Sequence, residues 1–143
     1  MIKKVSEGYL VPIEDFKKQT MVFTGALELL VKVFPGKKFT VMSPLEAELT
    51  KYIHNVFGAY KVTYFNAAKE YVEKMGGDWA KVHTGTLLSG YINDMHTYVP
   101  GPDGKLGYGG KCFPKDVNAF AKMTEGTSMG TLLAPLHNLN VHF

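Results

Sequence analysis

The sequence predicts a mainly α-helical domain with one long helix, preceded by a short β-α-β segment. Three observations predict it: a capped stretch of about thirty residues with helical spacing, a second capped stretch directly after it, and two β-prone runs around a helical run near the start. The 143 residues suit one compact domain, or one domain with a small attachment, and 45% of them are apolar, which is enough for a buried core.

The first forty residues predict short α/β elements. The run TMVFTG (20–25) is apolar and β-prone and ends in glycine, which is typical of a strand. ALELLVKVF (26–34) has helical spacing, and Pro35-Gly36 predicts its end. KFTVMS (38–43) predicts another strand. This order indicates the closing part of a larger α/β sheet.

The long helix begins at a strong N-terminal signal. Ser43 can act as N-cap, Pro44 takes the first helical position, and Glu46 completes a capping box. Gly76-Gly77 predicts the end, so the helix is about 45 Å long. Its predicted apolar stripe consists of Leu45, Leu49, Ile53, Val56 and Tyr60. A helix of this length outruns a small core, so we expect a second subunit to cover part of it.

Three further segments follow the long helix. Asp78 can cap a helix over residues 79–88, and the glycine- and proline-rich stretch 89–112 predicts a loop. Pro114 indicates the first turn of another helix. Residues 127–143 predict a last, weaker helix that a proline interrupts.

Composition argues against several classes of protein. The net charge of +3 is spread thinly and forms no basic run, which argues against a nucleic-acid partner. No apolar stretch reaches the roughly 20 residues of a membrane span, and the start does not resemble a secretion signal. One cysteine and five scattered histidines give neither a disulfide nor metal-ligand spacing. We therefore expect a cytoplasmic protein without a metal or membrane span.

The only cysteine, Cys112, lies just before a predicted helix, between Lys111 and Lys115. A helix N-terminus and two cations favour a reactive thiolate, and the two preceding glycines allow a ligand to approach closely. The alternative is a small buried hydrophobe beside a turn, because free cysteines are among the most buried residues. The local pattern leaves both interpretations open.

Lys51 and Asn55 are four residues apart and therefore lie on one face of the long helix. An ammonium and an amide that point to one place can stabilise a developing oxyanion. The alternative is a solvated face, on which Glu48 and Lys51 form an ion pair worth a few tenths of a kcal/mol.

Two motifs resemble the UDP-glucose/GDP-mannose dehydrogenase family. EAELTKYIHN (46–55) is similar to the E-x-E-L-x-K-x-x-x-N start of that family's long central helix. GYGGKCFPKD (107–116) is similar to its G-x-G-G-x-C-F-P-K-D nucleophile loop. The resemblance implies a truncated nucleotide-sugar 6-dehydrogenase, which oxidises UDP-glucose to UDP-glucuronate through a cysteine thioester with NAD as the cofactor.

The resemblance also implies a domain organisation. Residues 1–42 match the C-terminal remnant of a Rossmann-type NAD-binding domain. Residues 43–143 match the central helical dimerisation and substrate domain, whose fold is like that of the C-terminal domain of 6-phosphogluconate dehydrogenase. A homodimer through the helix at 44–75 is implied.

The family's G-x-G-x-x-G fingerprint is missing from the sequence. We therefore expect the chain to be inactive without a separate NAD-binding chain. The alternatives are a non-catalytic module that dimerises or binds a nucleotide sugar, and a decayed or excised fragment.

The family's catalytic roles transfer to matching positions. Cys112 matches the nucleophile that attacks the aldehyde intermediate, and Lys51 and Asn55 match the pair that holds the oxygen where charge develops. Asp116 matches the carboxylate that assists proton transfer and water activation. Glu7 matches a catalytic glutamate.

Binding roles transfer in the same way. Tyr108 and Gly109 match a segment that touches the sugar nucleotide, His96 falls near a substrate-contact position, and Lys115 matches a lysine near the cofactor. Tyr91 stands where the family usually has an arginine that reaches the partner subunit's substrate. We therefore expect weaker neutralisation of the substrate's charge.

Overall fold

The structure is a computed structural model. It describes the backbone of residues 3–5, 8–12 and 20–143, and the side chains from Leu27 onward except that of Lys38. The chain forms two compact units, Met1–Ile53 and His54–Phe143, and the long helix contributes residues to both.

Among its described residues, the first unit contains a three-stranded sheet, one complete helix and the start of the long helix. Its elements are β1 (Lys3–Val5), β2 (Gly8–Pro12), α1 (Thr20–Val33) and β3 (Lys38–Met42). β1 pairs antiparallel with β2, and β2 pairs parallel with β3, so that Leu10 lies opposite Thr40. Two parallel strands need a crossover of a dozen or more residues, which α1 supplies. A β-α-β segment is therefore present as β2-α1-β3, but its first strand lies at Gly8–Pro12 and not at the predicted residues 20–25.

The strand predicted at 20–25 is wrong, because these residues form the first turns of α1. Threonine, valine and phenylalanine cost a helix only some tenths of a kcal/mol each relative to alanine. The crossover between two parallel strands favours a helix, and this tertiary requirement outweighs the weak local preference.

The long helix, α2, spans Pro44–Lys74 and confirms the predicted helix closely. The Ser43 N–H donates to Glu46 Oε2 at 2.6 Å, and the Glu46 N–H donates to Ser43 Oγ at 3.3 Å, which completes the capping box. The hydrogen bond from the Ser43 backbone lowers the pKa of the Glu46 carboxyl most, and the hydrogen bond with the Ser43 side chain lowers it further. At the other end Gly76 takes a φ of +77°, and a left-handed residue there commonly ends a helix.

Three helices follow α2: α3 (Trp79–Leu87), α4 (Phe113–Met123) and α5 (Ser128–His142). Asp78 caps α3 as predicted, because its Oδ1 accepts from the N–H groups of Ala80 and Lys81. The predicted interruption of the last helix is wrong, since α5 continues through Pro135. Burial of Leu133 and Leu136 on either side helps to offset the proline's cost, about 3 kcal/mol in a helix interior.

The core of the second unit is formed by side chains from α2, α4, α5 and the loop before α4. Its buried apolar side chains are Val56, Ala59, Phe65, Tyr108, Val117, Phe120, Leu133 and Leu136. The predicted stripe on α2 was partly wrong, since Leu45 is 67% and Ile53 is 53% exposed. Apolar residues occur on more than one face of α2, so spacing alone could not identify the packed face.

Within the described ranges, no helix has both the length and the apolar character for crossing a bilayer.

Candidate active site

Cys112 occupies the N-cap position of α4. The Asp116 N–H donates to the Cys112 carbonyl oxygen at 2.9 Å, and Pro114 lies in the first turn, where its missing N–H removes no helical bond. The Cys112 side chain makes no capping hydrogen bond with any described residue, and the thiol is exposed. The buried-hydrophobe alternative is therefore wrong.

Asp116 is fully buried beneath the start of α4, one turn after Cys112. Its Oδ2 accepts from Asn55 Nδ2 at 2.7 Å, and its Oδ1 accepts from Lys115 Nζ at 2.7 Å. A buried carboxylate needs such partners, because an unpaired one would neutralise instead. Four predicted site residues therefore lie together at the start of α4: Cys112, Lys115, Asp116 and Asn55. Asn55 is 57 to 61 positions from the other three along the chain.

Two further residues were predicted to be catalytic, Lys51 and Glu7. Lys51 lies one turn before Asn55 on α2, within the first unit, where its Nζ is 4.9 Å from the ring centroid of Tyr52. An ammonium over an aromatic face is attracted by the ring electrons. Glu7 lies outside the described residues.

A cleft of about 370 Å³ opens beside the glycine-rich loop. It is lined by Val62, His96, Tyr98, residues 101–103, residues 107–110 and Phe113. The predicted substrate contacts His96, Tyr108 and Gly109 therefore line the same cleft. Since Phe113 directly follows Cys112, the cleft borders the N-terminus of α4.

His96 is fixed against this wall in an uncommon backbone conformation. Its φ is +65°, which a residue with a side chain rarely adopts, and such outliers often occur at functional sites. The imidazole packs edge to face on Phe113, with ring centroids 5.2 Å apart. Burial, followed by the charges of Lys61 and His54, lowers the pKa of His96. The ring is therefore neutral at pH 7 and offers one donor and one acceptor.

Gly58 allows both rings to lie close to α2. A Cβ at this position would lie 2.8 Å from Cζ of Phe113 and 3.4 Å from Cδ2 of His96. The glycine thus permits the aromatic wall of the cleft to pack on the helix backbone. Sequence reasoning missed Gly58, because a glycine inside a helix does not indicate by itself what it accommodates.

Two asparagines that sequence reasoning also missed hold the glycine-rich loop. Asn66 on α2 accepts from the Gly107 N–H, and Asn140 on α5 binds both backbone groups of Tyr108. Asn140 lies 32 residues from Tyr108, so no local pattern could connect them.

The segment before the loop is tied to α2. Lys61 Nζ donates to the carbonyl and to Oδ1 of Asn93, at 2.5 and 2.7 Å. Burial lowers the pKa of Lys61, and the nearby Asp94 partly offsets this. Tyr91, the residue predicted to replace the family's arginine, is 85% exposed.

The Tyr108 hydroxyl is buried and has no hydrogen-bond partner among the described residues. Burial also raises the pKa of this phenol. Burying an unpaired hydroxyl costs about 1–3 kcal/mol. We predict that Tyr108→Phe raises the free energy of unfolding in urea by about 1 kcal/mol.

Tyr98→Phe is the matched control, because Tyr98 lines the same cleft but is 58% exposed. Its effect should stay within about 0.5 kcal/mol. A loss of stability in Tyr108→Phe would show that the hydroxyl has a partner, such as a trapped water.

The described residues hold no group of three or more histidine, cysteine, aspartate or glutamate side chains that could bind a metal ion. They also do not fit a dinucleotide site by themselves. Lys115 is the one predicted cofactor contact, its ammonium already bonds Asp116, and the sequence contains no G-x-G-x-x-G turn for a pyrophosphate.

Comparisons with known proteins agree with the two motifs. A model of the UDP-glucose/GDP-mannose dehydrogenase family, central domain, matches residues 45–140. A UDP-glucose 6-dehydrogenase from Rhizobium meliloti is 34% identical over 126 residues, which is 79% of this chain and 28% of that protein. One from Rickettsia conorii is 36% identical over 121 residues, which is 79% of this chain and 27% of that protein.

A solved structure is similar as well. The UDP-glucose dehydrogenase of the hyperthermophilic archaeon Pyrobaculum islandicum is 28% identical and superposes with a TM-score of 0.73. The match covers 95% of this chain and 29% of that one. The chain therefore spans between a quarter and a third of the length of these relatives.

Proposed function

Because this chain belongs to the UDP-glucose/GDP-mannose dehydrogenase family, we propose that it forms the cysteine-bearing part of a nucleotide-sugar 6-dehydrogenase. The reaction is the oxidation of the C6 alcohol of UDP-glucose to the carboxylate of UDP-glucuronate. The observation that carries the proposal is the hydrogen bond between Asn55 and Asp116 beneath the helix start that exposes Cys112. We place the reaction in the cytoplasm, where a single thiol stays reduced.

Cys112 is the proposed nucleophile. Its thiolate attacks the C6 aldehyde formed by the first oxidation, so that a carbon–sulfur bond forms and the carbonyl electrons move to oxygen. The C6 carbon of this thiohemiacetal then loses a hydride and its carbonyl is restored, which gives a thioester. NAD would accept that hydride, as in the family, and a separate dinucleotide-binding chain would hold it. Hydrolysis of the resulting thioester by water releases the carboxylate and regenerates the thiol. Covalent capture divides one difficult oxidation into two easier steps.

Asn55 is the proposed partner of the developing oxyanion. Its amide nitrogen carries two N–H groups, and one of them binds Asp116. The other can donate to the oxygen that gains charge when sulfur attacks. A donor held in place before the reaction stabilises the transition state without reorganisation, which is worth about 3 kcal/mol in other enzymes. We assign Lys51 the second donor role from the family motif.

Asp116 is the proposed support of proton transfer. Since its carboxylate is fully buried, it acts through the groups that it binds. It orients the Asn55 amide and holds the Lys115 ammonium beside the start of α4. We assign Glu7 the remaining catalytic role from its match to the family.

The cleft beside the loop is the proposed site for the sugar nucleotide. Its volume of about 370 Å³ lies within the range of small-molecule sites. The Gly109 backbone and the His96 ring supply hydrogen-bonding groups to the cleft, and Tyr108 contributes to its lining. Lys115, at the start of α4, is the proposed contact to the cofactor of a neighbouring NAD-binding chain.

A reconstitution assay tests the proposal. The chain is mixed with UDP-glucose, NAD and the dinucleotide-binding domain of a relative, and the 340 nm absorbance of NADH is followed. We expect UDP-glucuronate and two NADH per sugar, and none without this chain. Absence of product with every donor domain would contradict a catalytic role and favour the alternative, a module that only binds nucleotide sugars.

We also propose that the chain forms a homodimer through α2. Three large side chains recur every seven residues on the second unit's part of this helix: Phe57, Tyr64 and Tyr71, which are 67%, 60% and 63% exposed. Seven residues are nearly two helical turns, so the three lie on one face. A second copy would remove this aromatic face from water.

Tyr64→Glu should therefore weaken the dimer. A charge at the centre of a packed aromatic patch is expected to raise the dimer dissociation constant about 30-fold or more, as loss of a hot-spot residue does. Sedimentation velocity over a concentration series measures this. Lys81→Glu on α3 is the control, because this side chain is 85% exposed and its variant should remain dimeric. A wild-type chain that is monomeric at all concentrations would contradict the interface.

A further inference from the structure

The loop before Cys112 is held by a side chain that binds both backbone groups of one residue. Asn140 Oδ1 accepts from the Tyr108 N–H at 2.6 Å, and Asn140 Nδ2 donates to the Tyr108 carbonyl at 3.0 Å. This is the pairing that a neighbouring strand would offer, but here it comes from α5. It ties the position of Tyr108 to that helix.

A second asparagine holds the preceding residue. Asn66 Oδ1 accepts from the Gly107 N–H at 3.1 Å, and Asn66 Nδ2 donates to the Val62 carbonyl at 2.8 Å. The Val62 bond determines which end of the amide faces the loop. Because Asn66 is only 4% exposed, neither end has ready access to bulk water as a substitute.

Gly107 makes the close approach possible. Its φ is +68°, and a Cβ at this position would lie 2.6 Å from Asn140 Oδ1. Any other residue would therefore push the asparagine away from the loop. Two helices that are distant in sequence thus fix two consecutive backbone units, five and four residues before the thiol.

We propose that Asn66 and Asn140 form a clamp that positions the glycine-rich loop, and with it Cys112, for attack. Both are positioning residues, since they act through the Tyr108 and Gly107 backbone. The consequence for catalysis rests on the proposed function. The effect on the geometry and reactivity of the thiol is independent of the proposed function.

The test uses the isolated chain. Amide hydrogen exchange of Tyr108 reports the clamp, and alkylation of Cys112 by iodoacetamide across a pH series reports the thiol, which is the only one in the sequence. Asn140→Ala removes both bonds, and Asn140→Asp keeps the acceptor for the Tyr108 N–H. Asn138→Ala, at an exposed position of α5, is the control.

In Asn140→Ala we expect the Tyr108 amide to exchange roughly fivefold to thirtyfold faster, the factor for one or two ordinary hydrogen bonds. The increase should be smaller in Asn140→Asp and absent in the control. The alkylation rate and its pH profile should change in the same order, while exchange in the centre of α2 stays constant.

Three results would overturn the proposal. Unchanged Tyr108 exchange would mean that the clamp does not hold the loop. Faster exchange with an unchanged alkylation profile would mean that the clamp does not position the thiol. Faster exchange throughout α2 would mean that Asn140 stabilises the whole fold and not the loop in particular. If Asn140→Ala does not fold, the Asn140→Asp variant decides between these results. None of the measurements needs NAD or a sugar nucleotide, so failure of the proposed function is a separate outcome.

Discussion

Cys112→Ala should stop the reconstituted reaction at the aldehyde. The first hydride transfer does not need the thiol, whereas the second proceeds from the carbon that sulfur has attacked. We therefore expect the NADH yield to fall from two per sugar to at most one. Formation of UDP-glucuronate should fall by at least about 10³-fold, because removal of a covalent nucleophile commonly costs that much or more.

The measurement combines NADH absorbance with chromatographic separation of the aldehyde and the carboxylate. Lys122→Ala, in the last turn of the same helix, is the control and should leave both yields unchanged. Undiminished UDP-glucuronate from Cys112→Ala would exclude the thioester route. The aldehyde is the informative product, since it separates loss of the nucleophile from loss of substrate binding.

Asp116→Ala should give the largest loss of stability among the site variants. The carboxylate is fully buried and accepts from Asn55 and Lys115, so its removal leaves the Asn55 amide unpaired beside a small cavity. We expect the free energy of unfolding in urea to fall by about 2–3 kcal/mol. The free energy of unfolding should fall less in Asp116→Asn, because the introduced amide oxygen still accepts from Asn55.

Two comparisons make this prediction specific. Asn118→Ala, at an exposed position of α4, should change stability by less than about 0.5 kcal/mol. Lys115→Ala should lower the free energy of unfolding by at most about 1 kcal/mol, because the lysine side chain is 62% exposed and water screens its charge. If Asp116→Ala were as stable as the unaltered chain, the polar cluster beneath Cys112 would not contribute to the free energy of unfolding.

The helix boundaries could be predicted from sequence because their signals are local. Ser43 and Glu46 satisfy each other's N–H groups, and Asp78 caps the N–H groups two and three residues ahead. These bonds form between residues that are neighbours in any conformation of the chain. The strand predicted at 20–25 failed for the opposite reason, since the parallel pairing of β2 with β3 is not a local property.

Most predicted residues of the candidate site came from two motifs, whereas Glu7 and His96 lie outside both. The roles of all of them stay proposals. The sequence placed Cys112 before a helix, but it could not decide between an exposed and a buried thiol. Exposure depends on which faces pack, and the packed face of α2 was itself partly mispredicted at Ile53. The division at residues 42 and 43 also stays a prediction.

By itself the sequence determined the long helix, the caps at Ser43 and Asp78, and the family, because short-range hydrogen bonds and motifs depend only on residues close together in the sequence. Tertiary structure alone decided the exposure of Cys112, the burial of Asp116 against Asn55, and the hold of Asn140 on Tyr108. These partners lie 32 and 61 residues apart, and a side chain cannot indicate a distant partner until the core has packed.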